Sequence, residues 1–268
     1  MQGKKAERAT PKAAPKVTNY ATPALEKGLD ILELLAHQSE GLTKSQLARA
    51  LDRSVSEIFR MLLCLERRGY IAQIAEDQYS LTLKLFQLVL EHPPTERLVA
   101  EALPVMKRLA YETQQSCHMG VLDGDKIVIL AQVNSPTNIG FYVKVGSTVD
   151  LMESASGYVI LAHQGEEERA RTISEWRRRT NKRVPADIDK HLERIRKSGY
   201  EKRASYLAKG ILNISFALCD ERGSALGALT IPYIQYSTSS VGQKKVVESL
   251  KLAADEISLA IGGKVPAK

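Results

Sequence analysis

The sequence lacks the features that mark membrane proteins, disulfide-rich proteins and zinc sites. None of its apolar stretches approaches the ~18 residues that a bilayer-spanning helix needs, because charged residues interrupt each of them. The cysteines, Cys64, Cys117 and Cys219, are odd in number and widely separated, and no Cys/His group has zinc spacing. These absences argue against a membrane span, a disulfide framework and a metal site, and they favour the reducing cytoplasm.

Catalytic motifs are also missing. The chain has no His-Glu-x-x-His, no phosphate loop, no Gly-x-Ser-x-Gly elbow and no close carboxylate pair framed for acid/base catalysis. Its only adjacent nucleophile and base are Cys117 and His118, whose side chains would point to opposite faces of a strand. A buried cysteine beside a surface histidine is the expected arrangement. We therefore expect a protein that is not an enzyme, with no catalytic residues and no cofactor.

The net charge of +7 does not by itself indicate nucleic-acid binding. Much of it lies in residues 1–19, a basic segment poor in large apolar residues, which we predict to be a disordered tail. Residues 17–92 contain 8 Lys or Arg against 10 Asp or Glu. The argument for DNA binding must therefore come from the positions of individual side chains. The length of 268 residues predicts two domains.

The N-terminal third has the pattern of a helix-turn-helix. Thr22-Pro23 is a helix start, and the leucine spacing after it predicts a helix over about 23–38. Thr43-Lys44-Ser45-Gln46 and Ser54-Val55-Ser56-Glu57 each match a capping box, and Gly69 ends the helix that the second one starts. Two capped helices joined by a tight turn are typical of this motif. Apolar segments over 70–74 and 79–81 then predict two strands and a wing.

The start of the second capped helix is arranged like a recognition helix. Its backbone N–H groups and small hydroxyls can bind phosphate, and an arginine one turn further on can reach a base edge. The same geometry also occurs as ordinary packing with solvated surface charges. The candidate DNA contacts are Lys44, Ser45, Arg53, Ser54, Ser56, Glu57 and Arg60.

The rest of the chain predicts a linker helix and a mixed domain. Residues 82–91 form a short apolar helix that links the domains or packs on a second subunit, and Pro93-Pro94 marks the boundary. Strands followed by helices and further strands indicate an α+β fold with an antiparallel sheet. The expected elements are a helix over 95–113 that restarts at Pro104, strands 117–122, 126–133 and 141–145, helices 156–163, 166–176 and 187–197, strands 213–219 and 225–233, and a helix over 240–261.

Several segments, in this order and spacing, resemble the IclR family of bacterial transcription regulators. They include ALEKGLDILELLA, GLTKSQLARAL, SVSEIFRMLLCLERRGYI and VGSTVDLMESASGYVILA. The resemblance implies a winged helix-turn-helix domain over 20–81, a linker helix over 82–94 and a GAF-like effector-binding domain over 95–263. It also implies double-stranded operator DNA and a small-molecule effector as partners, and dimers that commonly pair into tetramers. Val55-Ser56-Glu57 departs from the Lys-Ser-Thr run that often begins the family's recognition helix.

The resemblance also implies an effector pocket. Ala155, Ser156 and Gly157 would lie at a helix start that faces the ligand, where free N–H groups favour a carboxylate. Family effectors are typically small organic, aromatic or sugar acids. Tyr206 stands where many members carry a carboxylate near the pocket rim. The remaining implied effector contacts are Asn213, Ser215 and Thr230 on strands and Met152 as an apolar wall.

Alternatives remain open at this point. Asn213 and Thr230 could be ordinary hydrogen-bonded core residues. The protein could be a redox-sensing regulator whose responsive thiol is Cys117 or Cys219. An enzyme built on the same GAF-like scaffold is a further alternative.

Overall fold

The computed structural model describes residues 22–75, 77–90, 93–235 and 241–265. The chain divides into two compact units, one on either side of the 91/92 junction. The predicted tail over residues 1–19 lies outside the described residues. No helix in the described ranges is long and apolar enough to cross a membrane.

The N-terminal unit is a winged helix-turn-helix, as predicted. Its three-stranded antiparallel sheet has the order β1-β3-β2, and buried side chains such as Ile31, Leu47 and Ile58 form its core. The elements are α1 (Pro23–Ala36), β1 (Leu42–Thr43), α2 (Lys44–Ala50), α3 (Val55–Arg67), β2 (Ile71–Ala75), β3 (Gln78–Leu81) and α4 (Lys84–Leu90).

Both predicted capping boxes hold the helix starts in place. At α2 the Thr43 N–H donates to Gln46 Oε1 at 2.8 Å, and the Gln46 N–H donates to Thr43 Oγ1 at 3.3 Å. At α3 the Ser54 N–H donates to Glu57 Oε2 at 2.9 Å. At α1, Thr22 is the N-cap residue and Pro23 begins the helix, as predicted, but the Thr22 side chain makes no cap hydrogen bond, and the Thr22 N–H donates to Glu26 Oε1 at 3.4 Å. The starts of α2 and α3 are thus each fixed by local hydrogen bonds.

The C-terminal unit is an α+β domain, as predicted. It contains α5 (Pro93–Thr113), β4 (Cys117–Asp123), β5 (Lys126–Val133), β6 (Thr148–Asp150), α6 (Ala155–Ala162), α7 (Glu166–Thr180), α8 (Ile188–Ser198), β7 (Tyr200–Ala204), β8 (Leu212–Cys219), β9 (Ala225–Tyr233) and α9 (Gln243–Ala260).

A six-stranded antiparallel sheet is the centre of this unit. Its order is β6-β5-β4-β9-β8-β7. The β4–β5 hairpin turns at Gly124, whose φ of +59° favours glycine. One face of the sheet packs against α5 and α9 through residues such as Met106 and Leu250. The opposite face packs against α6 and α8 through residues such as Tyr158 and Leu192.

Four further details of the sequence prediction were wrong. Strand β6, which has only three residues, was not predicted. Helix α5 runs through Pro104 without restarting, and it packs along α9. Residues 141–145 do not form a strand, because the side-chain oxygen of Gln132 accepts the Val143 N–H that a ladder would use. The edge strand β7 was missed because its sequence, YEKRA, is mostly polar.

Candidate functional site

Helix α3 exposes a surface suited to reading a duplex. Ser56 and Arg60 lie one turn apart on its exposed side, as predicted, and Arg60 forms no ion pair within the described chain. Phe59 is 41% exposed between them and Val55 is 39% exposed at the helix start. Sequence analysis missed these two side chains. The available signal was that Phe59 lies outside the buried stripe of Ile58 and Leu62.

The predicted DNA contacts Lys44 and Arg53 form ion pairs within the domain. Lys44 Nζ lies 2.7 Å from Asp77 Oδ1, in the wing turn, and this hydrogen bond raises the pKa of Lys44. Arg53 Nη2 lies 3.1 Å from Asp30 Oδ2 on α1. Both cations are still partly exposed, so a phosphate could share them with their carboxylate partners.

Glu57 stabilises the start of α3. Its carboxylate accepts the backbone N–H and, at 2.8 Å, the hydroxyl of Ser54, and it lies 3.2 Å from Lys27 Nζ. The Ser54 hydrogen bonds, followed by Lys27, lower the pKa of Glu57 to about 2. The carboxylate is therefore ionised and already partnered at neutral pH. Ser45 is exposed in the first turn of α2.

An apolar surface follows the wing. Phe86 is 59% exposed on α4, and Leu83, Leu85 and Leu88 around it are exposed as well. A short helix with this many exposed large side chains usually packs against another surface.

In the C-terminal unit, a small cavity lies between the start of α6 and the sheet. Its enclosed volume is about 20 Å³, roughly what one ordered water needs. Its lining contains no Asp, Glu, Lys or Arg side chain. The lining residues are His118, Phe141, Val143, Val149, Ser154, Ala155, Ser156, Ser205, Tyr206, Leu207, Asn213 and Thr230. We call this the effector cavity, after the role that the resemblance predicts for the residues of this region.

The start of α6 presents hydrogen-bond donors at the effector cavity. Ser154 is the N-cap residue, and its Oγ accepts the Gly157 N–H at 3.0 Å. A Cβ at Gly157 would lie 2.0 Å from the Leu151 carbonyl oxygen, so only glycine lets the helix start this close to the preceding turn. The N–H groups of the first turn have no carbonyl partner in their own helix.

A row of buried polar residues crosses the sheet beneath α6. Thr230 on β9 pairs with His118 on β4 and with Ser215 on β8, and Ser215 pairs in turn with Glu201 on β7. The Ser215 and Thr230 hydroxyls are 2.8 Å apart. Glu201 Oε2 lies 2.9 Å from His191 Nε2. The row thus has hydrogen-bonded members at one end, and at the other a histidine whose Nδ1 has no partner among the residues that the structure describes.

The structure corrects the expectation of a surface histidine. His118 is only 5% exposed and lines the effector cavity, while Cys117 points into the core on the opposite face of the sheet. His118 Nδ1 is buried without a hydrogen-bond partner among the described residues. Burial lowers the pKa of His118 to about 4. The ring is therefore neutral at physiological pH.

Some of the predicted effector contacts lie together at this cavity and some do not. Ala155, Ser156, Asn213 and Thr230 line it. Ser215 lies behind Thr230 as its hydrogen-bond partner. Gly157 and Met152 are outside the lining: Gly157 packs on the preceding turn, and Met152 lies in the apolar core under α6.

Tyr206 lies at the rim of the cavity. Its hydroxyl accepts the Asp150 N–H at 3.0 Å, which ties the loop after β7 to the end of β6. Burial is the main cause that raises the pKa of Tyr206, so the phenol is neutral. It offers a hydrogen-bonding group without charge at this position.

The buried thiols are unreactive by environment. Burial raises the pKa of Cys117 to about 12 and that of Cys219 to about 11. A redox-responsive cysteine is usually accessible and has a lowered pKa. These two residues therefore give no support to the redox alternative. Within the described ranges, no cluster of three or more His, Cys, Asp or Glu could hold a metal ion.

The sequence matches two family models. The IclR helix-turn-helix domain matches residues 24–75. The C-terminal domain of bacterial transcriptional regulators of the IclR type matches residues 95–259.

Curated relatives extend over nearly the whole chain. The HTH-type transcriptional regulator KdgR of Dickeya chrysanthemi is 30% identical over 88% of this chain and 79% of its own length. KdgR of Escherichia coli is 29% identical over 88% of this chain and 91% of its own length. The HTH-type transcriptional repressor AllR of Salmonella typhi is 24% identical over 97% of both.

Solved structures share the fold. The IclR protein of Thermotoga maritima covers 90% of this chain and 100% of its own, with a TM-score of 0.68 and 22% identity. An IclR homolog from Microbacterium hydrocarbonoxydans, complexed with 4-hydroxybenzoate, covers 89% and 98%, with a TM-score of 0.71 and 21% identity. With both domain models matched in order, the chain belongs to the IclR family of transcriptional regulators, with an N-terminal helix-turn-helix domain and a C-terminal domain of the IclR type.

Proposed function

We propose that this regulator binds a specific operator through α3 and that a small organic, aromatic or sugar acid in the effector cavity changes its operator affinity. The observation that carries the proposal is a cavity where a helix start and a buried polar row meet with no charged side chain in the lining. The IclR homolog complexed with 4-hydroxybenzoate supports an acid as the class of ligand.

In the DNA-binding domain, Arg60 and Ser56 would contact base edges or phosphates from the exposed side of α3. Phe59 and Val55 would add apolar contacts, for which the thymine methyl group in the major groove is the matching partner. Lys44, Ser45, Arg53 and Ser54 would contact phosphate, and Glu57 would hold the helix start rather than read a base.

The exposed apolar side chains of α4 support self-association. A dimer would bury Phe86 and its neighbours and would place two recognition helices in successive major grooves of a pseudo-palindromic site, about 34 Å apart. A further pairing of dimers into tetramers fits the family. Ligand binding would alter operator affinity only as far as the acid prefers one arrangement of the dimer.

Selection from random duplexes tests the DNA-binding half of the proposal. The full chain should enrich one pseudo-palindromic sequence, and Arg60→Ala should weaken binding to it by about tenfold or more. Arg171→Ala is a matched control, since this exposed arginine lies on α7 in the other unit. Failure to enrich any sequence, or equal losses for the two variants, would contradict the proposed role of α3.

A further inference from the structure

Among the described residues, His118 is the one buried polar side chain of the effector cavity that has an unsatisfied hydrogen-bonding atom. It lies 5% exposed on β4, beside Thr230, and its Nδ1 has no hydrogen-bond partner. A buried polar atom without a partner is costly, so sites that contain one usually complete it with water or a ligand. The cavity has room for about one water in this structure, so a bound acid requires its walls to move apart.

The surroundings of the ring decide what it can bind. A neutral imidazole has one nitrogen that donates and one that accepts. It therefore matches a hydroxyl group, which can both donate and accept, better than it matches a carboxylate. No Asp, Glu, Lys or Arg side chain lines the cavity, so no neighbouring charge alters this preference of the ring for a hydroxyl over a carboxylate.

The opposite wall suits the carboxylate. The N–H groups of Ala155 and Ser156 lie there and, unlike the Gly157 N–H, do not bind Ser154 Oγ; a helix N-terminus favours an anion. The buried Ser156 hydroxyl, 3.3 Å from Ser154 Oγ, can rotate to donate to a carboxylate at the same place. Because the lining holds no cationic side chain, one carboxylate can be accommodated in this way and a second would be left uncompensated.

From these two walls we propose that His118 is a specificity-determining residue and that the effector is a small hydroxy-substituted monocarboxylic acid. Its carboxylate binds the start of α6 and its hydroxyl binds the His118 ring. This assignment rests on the proposed function, because it takes the effector cavity as the regulatory site. Phe141 and Leu207 supply apolar contacts for the rest of the molecule.

Matched pairs of acids test this proposal by calorimetric titration of the full chain. The pairs are 4-hydroxybenzoate with benzoate, lactate with propionate, and 3-hydroxybutyrate with butyrate. We expect the hydroxy acid of at least one pair to bind tenfold or more tightly than its partner, since a site built around a hydroxyl rejects the analogue that lacks it. Succinate, a dicarboxylate of similar size, should bind more weakly than that hydroxy acid.

Two variants locate the origin of the preference. His118→Leu should reduce the ratio within the pair to about one, and His118→Asn, which keeps a donor and an acceptor, should retain part of it. Ser156→Ala should weaken both members of the pair to the same extent, because it removes a carboxylate contact. Since His118→Asn is the more conservative change, it keeps the test valid should His118→Leu not fold.

The outcomes separate this inference from the proposed function. Equal binding of both members to the wild type, or a preference that survives in His118→Leu, would overturn the role of His118 and leave an acid-binding site intact. Absence of binding by every acid would overturn both.

Discussion

Low pH should destabilise the C-terminal unit through His118, and the size of the effect follows from the burial of this side chain. The pKa of His118 is lowered from 6.5 to about 4. Above pH 6.5 the ring is neutral in both the folded and the unfolded chain, so it makes no pH-dependent contribution. Below that value the unfolded chain takes up a proton that the folded chain does not, and the free energy of unfolding falls until about pH 4. The loss amounts to about 1.4 kcal/mol per pH unit, or about 2 kcal/mol between pH 6.5 and pH 5.

Trp176 makes this effect measurable in one unit of a two-unit protein. It is the only tryptophan of the chain, is 2% exposed in the C-terminal unit, and donates its indole N–H to Asp150 at 3.2 Å. Urea unfolding followed by its fluorescence therefore reports on that unit alone. The measurement is a series of such curves between pH 5 and pH 8.

His118→Asn is the informative variant. Whatever the effect of the substitution at pH 8, the free energy of unfolding of the wild type minus that of the variant should fall by about 2 kcal/mol between pH 8 and pH 5. The reason is that the unfolded variant has no imidazole at this position to take up the proton. His163, whose pKa is also lowered by burial, provides the control. In a His163→Asn background, replacing His118 by Asn should still remove the pH dependence that His118 contributes to the free energy of unfolding. A wild-type-minus-variant difference that does not change with pH would show that His118 is not a buried neutral ring, and would refute the reasoning.

The remaining predictions concern the other parts of the molecule. Thr43→Ala removes the side-chain half of the α2 capping box and should lower the free energy of unfolding of the N-terminal unit by about 1 kcal/mol in urea curves followed by circular dichroism; an unchanged midpoint would contradict the cap. Phe86→Asp should shift the chain towards monomer in sedimentation velocity, whereas the neighbouring exposed Gln87→Asp should not, and equal behaviour of the two would argue against dimerisation through α4. Phe59→Ala should reduce selectivity for thymine-containing operators without changing the salt dependence of binding, and a changed salt slope would instead mean a phosphate contact. Cys117→Ala should leave any effector response intact, and loss of the response after this change would revive the thiol alternative.

Local sequence signals were sufficient for the DNA-binding unit. The capping boxes at Thr43 and Ser54 involve residues three apart, so their hydrogen bonds could be anticipated from sequence alone. What could not be anticipated is how the cations are shared. The ion pairs of Lys44 with Asp77 and Arg53 with Asp30 join separate elements, and only the fold brings them together.

In the effector cavity, too, local features could be predicted from the sequence, whereas contacts between separate elements could not. The start of α6 was located by resemblance and by its cluster of small residues, but His118 was assigned to the surface. Strand alternation correctly predicts that Cys117 and His118 face opposite sides, yet it does not say that both faces of this sheet are covered by helices. The row from His118 to Glu201 depends on β4 pairing with β9, a strand far from it in the sequence, and local patterns do not encode that contact.

Residues 141–145 and strand β7 are two segments for which the hydrophobic pattern gave the wrong secondary structure. Alternating apolar residues predict a strand in the first segment, but the Gln132 side chain occupies the Val143 N–H. The second segment is polar because it lies at the sheet edge, so it has no clear alternation to detect.

Operator titration with and without a bound acid tests the central claim most directly. The labelled duplex would be the sequence enriched by the full chain, and the ligand would be the acid that binds most tightly in the calorimetric comparison. If the protein is an effector-controlled regulator, saturating acid should change the operator dissociation constant by about fivefold or more, and Ser156→Ala should shift this response to higher acid concentration. An operator affinity that stays constant while the acid is demonstrably bound would contradict the account.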